Sequence, residues 1–531
     1  TMVSVSLPYI CMATGRSSSL IFSFCSVLLT ERIRASADTN SVYTMSAPNF
    51  LHINRNAGSV TSSIGASNTG FSPKSMFLIF IALILSRKGS EILLYPEKTL
   101  PLHRNITITE MSYTIKDFEI MAPVGSRESL AAALHAGADS IYFGIESLNM
   151  RARSASTFTI DDLREIAKIC DEHGVKSYLT INTIIYDEDI ALMRKIVDAA
   201  KEAGISAVIA ADVAAMNYAN SIGQEVHLST QLNISNAEAL KFYARFADVV
   251  VLARELNLKQ VHEIYRQIVD QQITGPKGEL IRIEMFAHGA LCMAVSGKCY
   301  LSLHEMNASA NRGACMQICR RAYSVKDKDS NIELDIENQY IMSPKDLKTI
   351  HFMNKMMDAG VRVFKIEGRA RGPEYVRLVT ECYKEAVRAY CNGTFDEKKV
   401  AAWDERLRSV FNRGFWDGYY LGQRLGEWSS KYGSGATKKK VYVAKGIKYF
   451  DKIGVAEFEM ESGNLKVGDE ILITGPTTGA VMQTIEEIRV DLKPVDETVK
   501  GERFSLKVNE KIRPSDRLYK MEKVQLEKVF E

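Results

Sequence analysis

Residues 118–145, FEIMAPVGSRESLAAALHAGADSIYFGI, decide the fold class. FEIMAP at 118–123 reads as a short apolar strand, Arg127–His135 as a helical segment that stops at Gly137, and SIYFGI at 140–145 as a second strand. Strand, helix and strand in such close succession make a βαβ unit, whose crossover helix lets the two strands run parallel.

The same alternation continues outward. KSYLTINTI at 176–184, AVIAAD at 207–212, EVHLSTQ at 225–231, DVVVLAR at 248–254, IRIEMFAHG at 281–289 and VRVFKIEG at 361–368 bring the strands to eight. Helices such as Ile160–His173 and Asp187–Ala203 lie between them and end at Gly174 and Gly204, the residue type suited to a left-handed C-cap. YIMSPKDL at 340–347 also reads as a strand. The expected architecture is a TIM-like (β/α)8 barrel over residues 111–433 rather than a doubly wound sheet, and no GxGxxG follows the first strand. Barrel chemistry gathers on loops at the C-terminal ends of strands, which places Glu146, Asn182, Asp212, Ser229, Gln231, Arg254, His288 and Glu367 near one face.

A chain of 531 residues exceeds what one core of about 250–300 residues accommodates. With 46% hydrophobic residues, 25% charged residues and a net charge of +3, it neither demands nor excludes nucleic acid. Residues 1–110, rich in Ser, Thr and Asn and without a sustained period, are expected to be a disordered or extraneous extension ahead of a start at Met111. Their apolar runs, Leu20–Leu29 and Met76–Leu85, fall short of the roughly 20 residues of a spanning helix, so no membrane anchor is expected. Beyond the barrel, residues 434–531 change to short β runs: VYVAKGIKYF, IGVAEFEM, EILITGP, AVMQTIEEIRV and RFSLKV, the pattern of a small antiparallel β-barrel. LKVGDEILITGPTTG at 465–479 resembles the second domain of translation elongation factors, a fold often used to touch tRNA.

Of nine cysteines, Cys292, Cys299, Cys315 and Cys319 fall in one window with the spacing C-x6-C-x15-C-x3-C, in a loop region marked by Gly289, Gly297 and Gly313. Clustered cysteines in a chain without a convincing secretory signal read as metal ligands in a reducing cytosol. Four thiolates suit tetrahedral zinc or a [4Fe-4S] cluster; zinc knuckles favour C-x2-4-C pairs, and the wider first gap, together with the family resemblance described below, favours iron-sulfur. Cys170, Cys382 and Cys391 read as packing residues.

Arg312, Arg320 and Arg321 flank the cysteines, and Lys365, Arg369 and Arg371 follow the last strand. Guanidinium groups there can take a small dicarboxylate or an RNA backbone, or can pair with Glu284 and Glu367. His227, Ser229 and Gln231 alternate along one strand, as a polar layer of the barrel or as substrate ligands. Arg320, Arg369, Glu367 and His227 are therefore the catalytic candidates. Phe411, Phe415, Trp416, Tyr419 and Tyr420 form an aromatic stripe, suited to stacking on bases or to docking one domain on another.

Glu284, Phe286, Gly289, Ala290, Leu291, Cys292, Gly297, Cys299, Leu301 and Ser302 match in full the signature E-x-F-x2-G-[SA]-[LIVM]-C-x4-G-x-C-x-[LIVM]-S. In this, and in MAPVGSRESLAAALHAGADSIYFG, SPKDL and FKIEGR, the chain from Met111 onward resembles the U32 peptidase family. The resemblance implies an oxygen-independent hydroxylase better than a protease. Better understood members carry a [4Fe-4S] cluster and hydroxylate RNA bases or ubiquinone precursors, with prephenate implicated. Members with an FNRGF-type segment, here 411–415, and a C-terminal β domain include the tRNA proteins that make 5-hydroxyuridine at the wobble position. Some relatives take a fourth ligand from a DLC sequence; this chain has Asp346, Leu347 and Lys348 there, and Cys319 is the natural replacement.

The residues themselves speak against hydrolysis of protein. HExxH and GxSxG are both missing, and Cys292, although close in sequence to His288, is unavailable as a nucleophile once bound to metal. Three functions stay open at this level: a cytoplasmic tRNA uridine hydroxylase, a U32 peptidase, and a zinc-stabilised RNA-binding module.

Overall fold

The computed structural model describes residues 10–14, 18–22, 91–93 and 113–524, except 146, 153–157, 322–324, 327–332, 335–341, 424–425 and 430–432. Thr1–Met111 and Ser112–Glu531 form two compact units. In the first, Ile10–Thr14 pairs antiparallel with Ser18–Phe22 and Glu91–Leu93; the apolar run Met76–Leu85 lies outside the described residues.

The second unit begins with the barrel. Glu119–Pro123, Ser140–Phe143, Lys176–Ile181, Ala207–Ala210, Val226–Leu228, Val249–Val251, Arg282–Gly289 and Val361–Ile366 pair in order, all parallel. The last strand closes the ring, pairing with the first (Val363↔Glu119) and with the seventh (Ile283↔Val361). All eight strands expected from the sequence are present.

Alternation along each strand sorts the core into two layers. Ile120, Ala122, Ile141, Phe143, Leu179, Ile181, Val208 and Ala210 point outward to the helices. Met121, Tyr142, Tyr178, Ile209, Val249 and Val363 point inward and fill the barrel. Helix Arg127–His135 starts where Ser126 Oγ accepts from Ser129 N at 3.2 Å. Helices Leu163–Glu172, Ile190–Ala203, Val213–Ser221, Ala237–Ala244, Leu258–Asp270 and Pro373–Cys391 complete much of the outer ring. Among the described residues, no helix is long and apolar enough to cross a membrane.

Two additions flank the seventh strand. Asp346–Lys348 pairs antiparallel with it (His288↔Lys348), and Phe415–Trp416 pairs parallel with Asp346–Leu347. The ambiguous segment at 340–347 thus contributes a strand, but outside the closed ring.

From Lys438 onward the chain forms an eight-stranded antiparallel sheet, with Leu465, Phe458, Phe504 and Leu518 in its core. It docks on the barrel through Leu472 and Ala480 against Ala132. Gly479 has φ +70°, and a Cβ there would lie 2.7 Å from the backbone nitrogen of Ala132. Arg377 Nη2 donates to Glu510 Oε1 at 2.6 Å and Lys440 Nζ lies 2.9 Å from Glu374 across the same contact. The domain contact is therefore made by Leu472, Gly479 and Ala480 of the sheet against Ala132, with ion pairs from Arg377 and Lys440 beside them.

Candidate functional site at the C-terminal end of the barrel

A cavity of about 230 Å³ opens at the C-terminal end of the strands, and Cys292, Cys299, Cys315 and Cys319 all line it. The chain makes this possible by leaving the seventh strand at Gly289, where φ is +103° and a Cβ would lie 2.3 Å from the Glu367 carbonyl oxygen. Only glycine allows the last strand's end to pass so close. The loop that follows is pinned to the barrel: Arg254 Nη2 donates to Ser296 Oγ at 2.6 Å, and Asn233 Nδ2 to the Ser296 carbonyl at 3.0 Å. Arg312 forms an ion pair with Asp189, and the Asn311 carbonyl accepts from Ile184 N at 3.1 Å.

Arg320 ties the two ends of the cysteine window together. Its Nη2 donates to the carbonyl of Leu291, next to Cys292, at 2.8 Å, while Nη1 donates to Ser343 Oγ at 3.0 Å. Burial lowers its pKa to about 10. The Cys319 thiol is pushed up to about 11, first by burial and then by the other three cysteines, with Arg320 opposing. Among the described residues, no three His, Cys, Asp or Glu side chains gather tightly enough to hold a single metal ion.

Opposite the cysteines stands Glu367. Arg151 Nη2 donates to its Oε1 at 2.6 Å and the Tyr142 hydroxyl to its Oε2 at 3.0 Å. Burial raises its pKa, but Arg151 and Arg369 overcome that and hold it at about 2. Arg369 is 5% exposed and donates through Nη1 to Thr180 Oγ1 at 2.9 Å and Asn149 Oδ1 at 3.1 Å; its Nε, also buried, has no partner. Burial lowers the Arg369 pKa to about 10. Arg371 stacks on Phe411 with its guanidinium carbon 3.5 Å from the ring centroid.

The charge balance of the lining is lopsided. Arg151, Arg254, Arg320, Lys365, Arg369, Arg371 and Arg413 face a single lining carboxylate, Glu367. Arg151 pairs with Glu367, Lys365 with Glu284 at 3.0 Å and Arg413 with Asp346 at 3.5 Å. Among the described residues, Arg254, Arg320, Arg369 and Arg371 form no direct ion pair, although Arg369 adds to the field that keeps Glu367 ionised, so the cavity favours an anion.

Other candidates fall elsewhere. His227 is buried below the cavity: its ring lies 4.4 Å from that of Tyr178, and its Nε2 lies 3.3 Å from Glu225 Oε1, in a network with Glu119 and Arg282 at the strands' N-terminal ends. It does not line the cavity, whereas Ser229 and Gln231 do. The strand stops at Leu228 and Thr230–Leu232 turns into a 3-10 helix, so the alternation that joined the three residues breaks. His288 points outward among Tyr375, Tyr383 and Phe415, and burial pushes its pKa down to about 3. It cannot serve Cys292 as a base. Asp212 caps helix Val213–Ser221 and accepts from Ile185 N at 3.0 Å. Glu146 lies outside the described residues, and Arg321 is exposed at the loop edge. Arg151, Tyr142 and Arg413 were not singled out by sequence reasoning; Arg151 follows the end of the second strand, where barrel logic directs attention.

Comparison with known proteins fits this layout. The sequence profile of Peptidase family U32 matches residues 125–430. A Porphyromonas gingivalis protein named "Collagenase" is 74% identical over 409 residues, 77% of this chain and 99% of the relative. The "tRNA hydroxylation protein P1" of Bacillus subtilis is 32% identical over 378 residues, 70% of this chain and 86% of the relative. The solved U32 peptidase Mk0906 aligns over 47% of this chain and 93% of its own at 12% identity, with a TM-score of 0.32. On the strength of the profile and of the Porphyromonas gingivalis relative, the chain belongs to peptidase family U32.

Proposed function

We propose that this protein is a cluster-dependent RNA hydroxylase that forms 5-hydroxyuridine in tRNA, with a small dicarboxylate such as prephenate as co-substrate. The observation that carries the reading is the pairing of four cysteines with a strongly cationic lining in one cavity. The spacing of the donor set supports a [4Fe-4S] cluster over zinc, because zinc knuckles usually draw on C-x2-4-C pairs and the first two cysteines here are separated by six residues. Cys292, Cys299, Cys315 and Cys319 would hold the cluster, and it would supply redox or Lewis-acid chemistry at the cavity wall.

The remaining work belongs to the chain's own side chains. Arg254, Arg320, Arg369 and Arg371 carry charge that a four-thiolate cluster, with about two negative charges in all, does not neutralise. They are placed to bind and orient an anion, as a dicarboxylate or an RNA phosphate. Glu367, ionised and fixed by Arg151 and Tyr142, holds Arg151 over the cavity floor. Relatives named for hydroxylation of tRNA, and an Escherichia coli relative named "23S rRNA 5-hydroxycytidine C2501 synthase" (30% identical over 324 residues), support RNA as partner.

The "Collagenase" relative favours a peptidase instead. Against that stands the lining: no histidine is part of it, and its one carboxylate is engaged by Arg151 and Tyr142. The test is mass spectrometry of tRNA from a strain lacking the gene. Loss of wobble-position 5-hydroxyuridine, restored by the wild-type gene, is expected; unchanged modification, with collagen cleavage by the purified protein, would return the peptidase reading to first place.

A further inference from the structure

A second, smaller recess opens on the other side of Cys292. It shares Arg254, Leu291, Cys292 and Met293 with the main cavity, and its enclosed part is about 40 Å³. Four of its wall residues are aromatic: Trp416, Tyr419, Tyr420 and Trp428. Two of them are buried and locked, since Trp416 Nε1 donates to the Lys345 carbonyl at 3.1 Å and the Tyr420 hydroxyl to the Phe286 carbonyl at 3.1 Å. Tyr419 is half-buried and meets Trp416 edge-on, with centroids 5.4 Å apart at 78°. Met293, 43% exposed, supplies an adaptable thioether at the mouth.

Fixed rings around a slot of this size take the edge of a planar, apolar ring, the rest of which stays stacked outside. Arg254 adds a second requirement. It lines both recesses, its one side-chain hydrogen bond goes to Ser296, and it has no carboxylate partner among the described residues. An occupant that spans both recesses must carry negative charge between its two parts. A pair of adjacent nucleotides has that order: base, phosphate, base. An aromatic side chain of a peptide would fill the slot but bring no anion to Arg254.

We infer that the aromatic recess receives the base next to the one presented to the cysteines, with Arg254 on the phosphate between them. The inference rests on the RNA reading of the main cavity. Glu255, at the mouth of the slot, offers an acceptor to N–H groups on that neighbouring base. The enzyme would thus act on an unstacked stretch of RNA, reading two splayed nucleotides and not a lone base.

The experiment compares UMP with the dinucleotide UpU by calorimetry on the intact chain, and follows tryptophan fluorescence. UpU is expected to bind at least about tenfold more tightly than UMP and to quench the emission. Tyr419→Ala removes that increment and leaves UMP affinity unchanged; Tyr419→Phe keeps it. Arg254→Gln lowers the salt slope of UpU binding by about one. An increment that survives Tyr419→Ala, or UpU binding no tighter than UMP while longer uridylates bind well, overturns the two-base slot and leaves the RNA reading standing. A protein that binds neither uridylates nor UMP, but does bind a phenylalanine-containing peptide, overturns both.

Discussion

Lys365 Nζ lies 3.0 Å from Glu284 Oε1 inside the barrel, with Glu284 fully buried and Lys365 nearly so. The first residue of the cysteine signature is thus joined to the FKIEGR segment of the last strand. Lys365 also lies 4.6 Å from the centroid of the Tyr142 ring, which pays part of its desolvation by a cation–π contact.

Removing one partner of this pair strands a buried charge. Lys365→Met is expected to cost about 3–5 kcal/mol, read by urea unfolding. The double variant Glu284→Gln, Lys365→Met should recover much of that loss. Equal instability of the single and double variants would show that the pair's charges are not what matters.

Acid should loosen the upper barrel. Glu367 is held at about 2 against an ordinary value of 4.5. A depressed carboxyl contributes stability in full above its unfolded pKa, and that contribution disappears as pH falls from about 4.5 towards about 2. The shift corresponds to about 3 kcal/mol. Glu119 and Glu225, each also held at about 2, act in the same direction at the lower end. Unfolding free energies measured between pH 6 and 3 should fall less steeply in Glu367→Gln than in wild type.

Cysteine substitution addresses the proposed cluster. Cys292→Ser, Cys299→Ser, Cys315→Ser and Cys319→Ser should each lose iron and visible absorbance from anaerobically purified protein, because a hydroxyl is a poor replacement for an iron-bound thiolate. Arg320→Lys keeps the charge but loses the fork that spans the Leu291 carbonyl and Ser343, so iron content should drop there too. Full iron in Cys319→Ser would assign the fourth ligand to another residue.

Gly479→Ala should weaken the docking of the β domain, because it combines a left-handed φ with a Cβ 2.7 Å from Ala132 N. A loss of about 1–3 kcal/mol is expected. Faster proteolysis between barrel and β domain, with barrel fragments surviving, is the accompanying signature.

Much of this could be read from the chain because parallel strands buried on both faces leave apolar runs that alternate with helices. The eight strands and the loop position of the cysteines followed from that pattern. Asp346–Lys348 stayed ambiguous because it joins the sheet as an antiparallel flank, which no βαβ periodicity marks. His227 looked like a neighbour of Ser229 and Gln231, but it lies against Tyr178 inside the barrel, and the strand ends at Leu228 before the two residues that line the cavity. The aromatic stripe suggested base stacking or a domain contact; Trp416, Tyr419 and Tyr420 line the recess beside Cys292, whereas Phe411 lies under Arg371 and Phe415 beside His288. Arg151 carried no motif, and its pairing with Glu367, 216 positions away, is a tertiary contact that no local pattern marks.

Closure of the ring also sets an order of events during synthesis. Val361–Ile366 hydrogen-bonds to both the first and the seventh strand, so the barrel stays open until those residues have left the ribosome. The four cysteines, all earlier in the chain, emerge before that moment. The cysteines are thus out before Glu367, Arg369 and Arg371, the residues that complete the lining of the cavity they share.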